Sequence, residues 1–227
     1  MLLGAIVNAL TIIVGGLLGT YARHIIPERH SKLIMTCLQI VVATIGIKFA
    51  ISTDNVLVVI ISLAIGALIG ESIDLDRKMQ QLGECIQKRL KSKEHDVAAG
   101  FVTTTLIYCV GSMAILASID SGMKGEHDIH FTKAIIDGIA AIFFASSMGI
   151  GVALSGISVL LYQGALTLLA NVIAPYLGEA VMTEMSATGG VMLIALAMSM
   201  LEIKQIKVAN LLPALFVSVL LMLTGWF

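Results

Sequence analysis

Asn8-Ala9-Leu10-Thr11-Ile12-Ile13-Val14-Gly15-Gly16 near one end of the chain is echoed by Gln163-Gly164-Ala165-Leu166-Thr167 near the other. The shared Ala-Leu-Thr, at 9–11 and 165–167, opens two stretches that keep further landmarks in order. The second helix of each stretch carries a Thr, Thr36 in one and Thr188-Gly189-Gly190 in the other. The third opens at Asn55-Val56-Leu57 or at Asn210-Leu211-Leu212. Each stretch holds three apolar segments of membrane length. Two more lie between them, so the second stretch enters the membrane from the opposite side. Inverted repeats of this kind are a common construction of secondary transporters, which bind substrate where the halves meet.

Composition supports the membrane reading. The 227 residues are 58% hydrophobic and 13% charged, with mean hydropathy +0.98. That leaves too little polar surface to coat a soluble core, so lipid must be the outer solvent. A spanning helix needs roughly 20 apolar residues. Eight segments qualify, at about 2–21, 33–51, 55–72, 98–119, 131–150, 153–175, 186–203 and 206–226. The expected fold is therefore an all-α transmembrane bundle in one domain, residues 1–227. Residues 1–72 form the first repeat, 98–150 a central helix pair, and 153–227 the second, inverted repeat. The first segment reads as a retained helix, without the basic region or small-residue cleavage site of a signal peptide.

Lysine and arginine fix an expected orientation. Loops on the side reached after the first helix carry eleven basic residues. The other side has only Lys48, Lys124 and Lys133. Positive charge stays cytoplasmic, so both termini are expected to face out. A net charge of −1 gives no reason to expect nucleic acid as a partner.

The one long polar connection, 73–97, spaces Leu75, Met79, Leu82, Ile86 and Leu90 every three or four positions. That is one face of an amphipathic helix, with Arg77, Lys78, Lys88 and Arg89 on the other face. It suits the cytoplasmic lipid interface, a plain connector, or a docking helix for a partner. In loop 120–130, His127 and His130 with Asp128 make a weak metal pattern with no further His or Cys nearby, and no metal is expected. Cys37, Cys85 and Cys109 lack ligand spacing; the two in apolar segments read as buried reduced thiols.

Further strings carry a family resemblance. They are Gly15/Gly16/Gly19, Ile26-Pro27-Glu28-Arg29, Gly70-Glu71-Ser72-Ile73-Asp74, Cys109-Val110-Gly111-Ser112-Met113, Glu184-Met185-Ser186-Ala187 and Asn210-Leu211-Leu212-Pro213-Ala214. With these the chain resembles, over nearly its whole length, the YqgA/YdfK-like inner-membrane proteins, a domain-of-unknown-function family. The resemblance implies a polytopic bacterial membrane protein and brings no substrate, cofactor or catalytic residue.

Polar groups inside apolar segments are costly and mark candidate function. Asp137 stands about two turns into the fifth segment, able to bind a cation or to pair locally with Lys133. Asn8 and Thr11 share a face of the first helix; Gln163, Thr167 and Asn171 share one in the sixth. Facing stripes would line a hydrated path, or else hold the bundle together by hydrogen bonds. Thr188-Gly189-Gly190 reads as a helix break that could bind an anion, with Thr36 as its mate and close packing as the alternative. Pro213 would free a carbonyl in the last helix. Glu71, Asp74 and Asp76 could form an inner acidic rim; Glu179, Glu184 and Asp120 could form an outer one. Gly15-xxx-Gly19, Gly66-xxx-Gly70 and Ser147-xxx-Gly151 suit helix packing or a homodimer contact.

There is no nucleotide loop, zinc-protease motif or nucleophile elbow, so an enzyme is not expected and no cofactor is implied. The expectation is a transporter or channel for an ion or small polar solute. A non-transporting scaffold or sensor that presents the 73–97 helix is the rival.

Overall fold

The structure is a computed structural model and describes residues 1–23, 25–81, 97–110 and 112–225. Among these there is no strand. The principal helices are α1 (Leu3–Arg23), α2 (Glu28–Ala50), α3 (Val56–Ile73), α4 (Val97–Cys109), α5 (Ser112–Met123), α6 (Asp128–Met148), α7 (Gly151–Leu168), α8 (Glu179–Met200) and α9 (Pro213–Leu223). Six of them are long and apolar enough to cross a membrane: α1, the Lys32–Ala50 part of α2, α3, α6, α7 and α8. Helices α4 and α5, bent by 63° at their junction, together make a seventh candidate, and the apolar helix Val208–Leu223 is shorter. Residues 75–81 are helical; most of the expected amphipathic helix, 82–96, lies outside the described residues.

Helix α1 shows why lipid is the solvent. It buries Gly4, Ala5, Asn8, Ala9, Gly15, Gly16 and Gly19, with Ile12 the one large side chain among them. Leu10, Val14, Leu17 and Leu18, each at least half exposed, point outward. Small and polar groups inside with large apolar groups outside is the reverse of a soluble helix. It is stable where hydrocarbon covers the outer face and close packing holds the inner one.

The helices gather into two compact units. The first comprises Met1–Leu38, Gln80–Cys109 and Met113–Val172; the second Gln39–Met79, Val110–Ser112 and Ile173–Phe227. In the first unit α1 runs parallel to α6, with Gly4 against His130, Gly15 against Gly138 and Ala141, and Gly19 against Ile142 and Ala145. A Cβ on Gly15 or Gly19 would strike the backbone carbonyl of Gly138 or Ile142. Gly149, at φ +75°, ends α6 in a conformation that glycine adopts freely. The chain then turns through Ile150 into α7, which packs antiparallel to α1, Gly16 on Ala153 and Gly156 on the Ala9 carbonyl and Ile13. Gly151 meets Val97 and Phe101 of α4.

The second unit is built the same way. Gly46 of α2 meets Gly190 and Ile194 of α8, while Gln39 Nε2 donates to the Met200 carbonyl at 2.7 Å, so these helices run antiparallel. Gly66 and Gly70 of α3 meet Ala214 and Asn210, an antiparallel approach to α9. Asn55 caps α3, its side chain accepting from Leu57 N. Asp74 closes that helix in the left-handed region at φ 53°, which Asp tolerates better than most residues.

Several expectations change. α8 runs unbroken through Thr188-Gly189-Gly190. The two glycines admit Val110 and Leu215 on one side and Gly46, Phe49 and Ala50 on the other, so they serve close packing. Pro213 opens α9 at its first turn, where its missing N–H costs no hydrogen bond, instead of breaking a helix interior. The cysteines Cys37 and Cys109 are free, but Cys37 is exposed and Cys109 half-buried; Cys85 lies outside the described residues. The three small-xxx-small motifs all contribute a glycine to packing within the chain.

Candidate functional site

The first unit gathers ionisable and amide side chains from three helices. Lys133 and Asp137 are one turn apart on α6, and their side chains meet at 2.6 Å, Lys133 Nζ donating to Asp137 Oδ2. Both are almost fully buried. From α1, Asn8 Nδ2 donates to the same carboxylate oxygen at 3.1 Å and to Gln163 Oε1 of α7, also at 3.1 Å. Asn8 and Gln163 are fully buried. The small residues of α1 explain how this is possible: only a helix flanked by Gly4 and Gly15 comes near enough to α6 for so short a side chain to reach a carboxylate.

The amide orientations follow from the charge. A carboxylate accepts only, so the Asn8 group facing it must be the NH₂. That same NH₂ then requires the oxygen of Gln163. Two polar atoms are left without a partner among the described residues, Asn8 Oδ1 and Gln163 Nε2, one acceptor and one donor. Tyr108 OH of α4, Thr167 Oγ1 of α7 and His130 Nε2 of α6 are likewise buried without a hydrogen bond among those residues. Tyr108 lies within electrostatic reach of Asp137. Buried polar groups are ordinarily paired, since an unpaired one costs about 1–3 kcal/mol. Further buried hydroxyls without a hydrogen bond among the described residues are those of Thr105 in the first unit and Ser62 and Ser186 in the second.

A second chain of polar groups starts at the N-terminal end of α6. Ser121 Oγ of α5 stands 2.9 Å from His127 Nδ1 and 2.8 Å from His130 Nδ1, and donates to the Glu126 carbonyl at 3.0 Å. The His127 and His130 rings thus turn to a hydroxyl. Among the described residues no three His, Cys, Asp or Glu side chains form a metal-holding group.

The sequence-derived candidates divide clearly. Asn8, Asp137 and Gln163 come together, and Thr167 is buried one turn beyond Gln163. Thr11 is half-buried, donates to the Asn8 carbonyl, and lines a shallow apolar groove of about 400 Å³ between α1 and α6. Asn171 is exposed, beyond the end of α7. Thr36 is exposed and bonds only to the Lys32 carbonyl of its own helix. Thr188, Gly189 and Gly190 are buried in α8 of the second unit. Spacing alone gives Lys133 only a local pairing role, as an i,i+4 partner of Asp137, and misses Tyr108 and Ser121, which carry no local signal.

The second unit holds two polar knots, each at an Asn landmark. Glu184, 1% exposed, accepts from Thr53 Oγ1 at 2.7 Å and from the backbone amides of Asp54 (2.8 Å) and Asn55 (3.0 Å). It therefore anchors the loop entering α3 and is not part of an open acidic vestibule. Asn210, also buried, donates to Glu71 Oε2 at 2.6 Å and accepts from Asp76 N at 2.7 Å. Glu71 is further bound by Lys207 at 2.6 Å. Glu71 thus closes a knot, though it also lines an open groove of about 930 Å³ with Lys204, Lys207 and Asn210.

Residues 3–223 match the model of a family described as "Protein of unknown function (DUF554)". The chain is similar to the uncharacterized membrane protein YdfK of Bacillus subtilis (strain 168), 29% identical over 218 residues, which are 94% of this chain and 93% of the relative. It is also similar to the uncharacterized protein YqgA of Escherichia coli (strain K12), 29% identical over 236 residues, with both chains covered in full. No solved structure matches. A family match that covers nearly the whole chain, on an all-helical fold with six or seven apolar candidates for membrane spans, makes this chain a membrane protein of the DUF554 family.

Proposed function

We propose that the protein is a non-enzymatic transporter or channel for an ion or small polar solute, and that its site is the Asn8–Lys133–Asp137–Gln163 cluster. The observation that carries this reading is the buried Lys133–Asp137 pair. An ion pair in a lipid-solvated helix is expensive. If packing were its only purpose, the surrounding amides would be fully used, whereas Asn8 Oδ1 has no hydrogen bond among the described residues. The cluster presents one positive charge, one negative charge, and amide donors and acceptors. It suits a dipolar or charged solute.

Eight spans with inverted repeats remain part of the proposal. The proposed counterparts pack antiparallel to one another, α1 with α7, α2 with α8 and α3 with α9, as an inverted duplication would require. Asn8 comes from the first repeat, Gln163 from the second and Asp137 from the central pair, which supports a site between the repeats. The Lys/Arg distribution supports both termini outside, and an inner-membrane location remains part of the proposal. A homodimer would need a face other than the glycine motifs, which are occupied within the chain.

The test is a flux screen of ions and small polar solutes in proteoliposomes, repeated with Asp137→Asn. The expected result is flux of at least one solute, strongly reduced in the variant. Absence of flux for every solute would favour the scaffold reading, in which residues 73–97 meet a cytoplasmic partner.

A further inference from the structure

We propose that His127, Ser121 and His130 form a proton relay into the membrane-embedded cluster, so that movement through the site is coupled to protons. This deepens the transport reading and rests on it. His127, at the start of α6, is half-buried, and its ring packs against Phe131, centroids 6.0 Å apart. Ser121 is fully buried and lies between the two imidazoles at 2.9 and 2.8 Å. His130 is fully buried and seated on Gly4 of α1, with the Gln163 side chain of α7 and the Ala117 carbonyl of α5 within reach of its ring. The three groups thus run from a partly accessible ring to a sealed one that meets the Gln163 side chain.

A purely structural role does not account for this arrangement. A histidine kept only for packing needs no second imidazole joined to it through a buried hydroxyl. A metal site would bring a third ligand, and none converges among the described residues. A hydroxyl between two imidazole nitrogens is both donor and acceptor, so a proton passes by exchanging bonds with no movement of heavy atoms. In one passage His127 takes a proton on Nε2 and gives its Nδ1 proton to Ser121 Oγ. Ser121 swings its one hydroxyl proton from the Glu126 carbonyl to His130 Nδ1 and gives it up there, and His130 releases the proton on Nε2 inward. One proton enters, one leaves, and return of each ring to its starting tautomer resets the chain.

The groups around the exit are those a proton would meet. Lys133 and Asp137 lie on the same helix, Gln163 comes from α7, and Tyr108 and Cys109 from α4 are within electrostatic reach of Asp137. From α1 Asn8 reaches the ion pair, and Asp120, beside Ser121, is engaged by Lys124 at 2.8 Å. Asp137, whose carboxylate can accept a proton, lies two turns along α6 from His130.

The experiment uses the full chain in liposomes loaded with a pH-sensitive dye, with a potassium gradient and valinomycin setting the membrane potential. Wild type is expected to acidify the lumen. Ser121→Ala, which removes the bridging hydroxyl, is expected to slow acidification by roughly tenfold or more. Ser121→Thr, which keeps a hydroxyl, should restore most of the rate and shows that loss in Ser121→Ala is not misfolding. A Ser121→Ala rate equal to wild type, or a Ser121→Thr rate as low as Ser121→Ala, overturns the relay. So does a wild type without proton flux. Solute flux in the same vesicles separates the two ideas: if a solute moves without protons, the site stands and the relay falls; if nothing moves, both fall.

Discussion

The ammonium of Lys133 lies 2.6 Å from the carboxylate of Asp137, one turn along the same helix, with both side chains sealed from outside. Held together, the two charges form a neutral unit that a bilayer-embedded bundle can tolerate. Separated by mutation, either one is a lone buried charge. Lys133→Met and Asp137→Leu should each destabilise the protein by about 3–5 kcal/mol. The double variant should be markedly more stable than the sum of the two losses, because it leaves neither charge behind. Denaturant unfolding in detergent measures all three, and strictly additive losses would contradict the coupling.

Asn8 is the side chain that ties this pair to α7. Asn8→Leu keeps the volume but strips the donor from both Asp137 and Gln163. Each acceptor left unsatisfied costs about 1–3 kcal/mol. The expected outcome is a clear loss of stability with the helical content by circular dichroism unchanged. A neutral Asn8→Leu would mean that the Gln163 contact is incidental.

The glycines of α1 are predicted to be far less replaceable than their type suggests. A side chain at Gly15 or Gly19 would meet the backbone carbonyl of Gly138 or Ile142, which cannot swing away. Overpacking costs typically 1–3 kcal/mol or more, so Gly19→Leu should give protein that no longer elutes as a single species in detergent. Gly178→Ala is the control, because a Cβ there meets nothing within 4 Å. Equal behaviour of the two variants would refute the close approach of α1 and α6.

The small inner face of α1 is legible in the chain as spacing, and the pairing of Lys133 with Asp137 as an i,i+4 relation. Asn55 and Asn210 are legible as landmarks, and each stands where a third helix is entered. Thr188-Gly189-Gly190 misleads, because adjacent glycines weaken an isolated helix by about 1 kcal/mol each. In α8 that weakness is offset by the near approach of Gly46 and Ala50, and only the partner helix reveals it. Thr36 and Asn171 have plausible spacing but face outward. Tyr108 and Ser121 join the first unit through packing between helices distant in sequence, for which a single sequence holds no local signal.

The sidedness proposed from the Lys/Arg distribution is directly measurable. With the native cysteines replaced, a cysteine at Gly125, in the exposed turn before α6, should react with an impermeant maleimide on intact cells. One at Gln205, on the Lys204–Lys207 loop, should react only after permeabilisation. The reverse pattern would invert the orientation and put the His127 relay on the cytoplasmic side.

The Glu184 knot separates charge from hydrogen bonding. Both backbone amides, from Asp54 and Asn55, point at a single oxygen, Oε1, while Oε2 takes only the Thr53 hydroxyl. A glutamine can reproduce this set, its carbonyl accepting both amides and its NH₂ donating to Thr53 Oγ1. Glu184→Gln should therefore cost under about 1 kcal/mol, whereas Glu184→Ala strands the Thr53 hydroxyl and the Asp54 amide, Asn55 N keeping Thr53 Oγ1, and should cost about 1–3 kcal/mol. Unfolding in detergent distinguishes them. If glutamine proves as damaging as alanine, the charge itself is what the site requires, and Glu184 would have to be reconsidered as a functional acid and not as the anchor of the loop into α3.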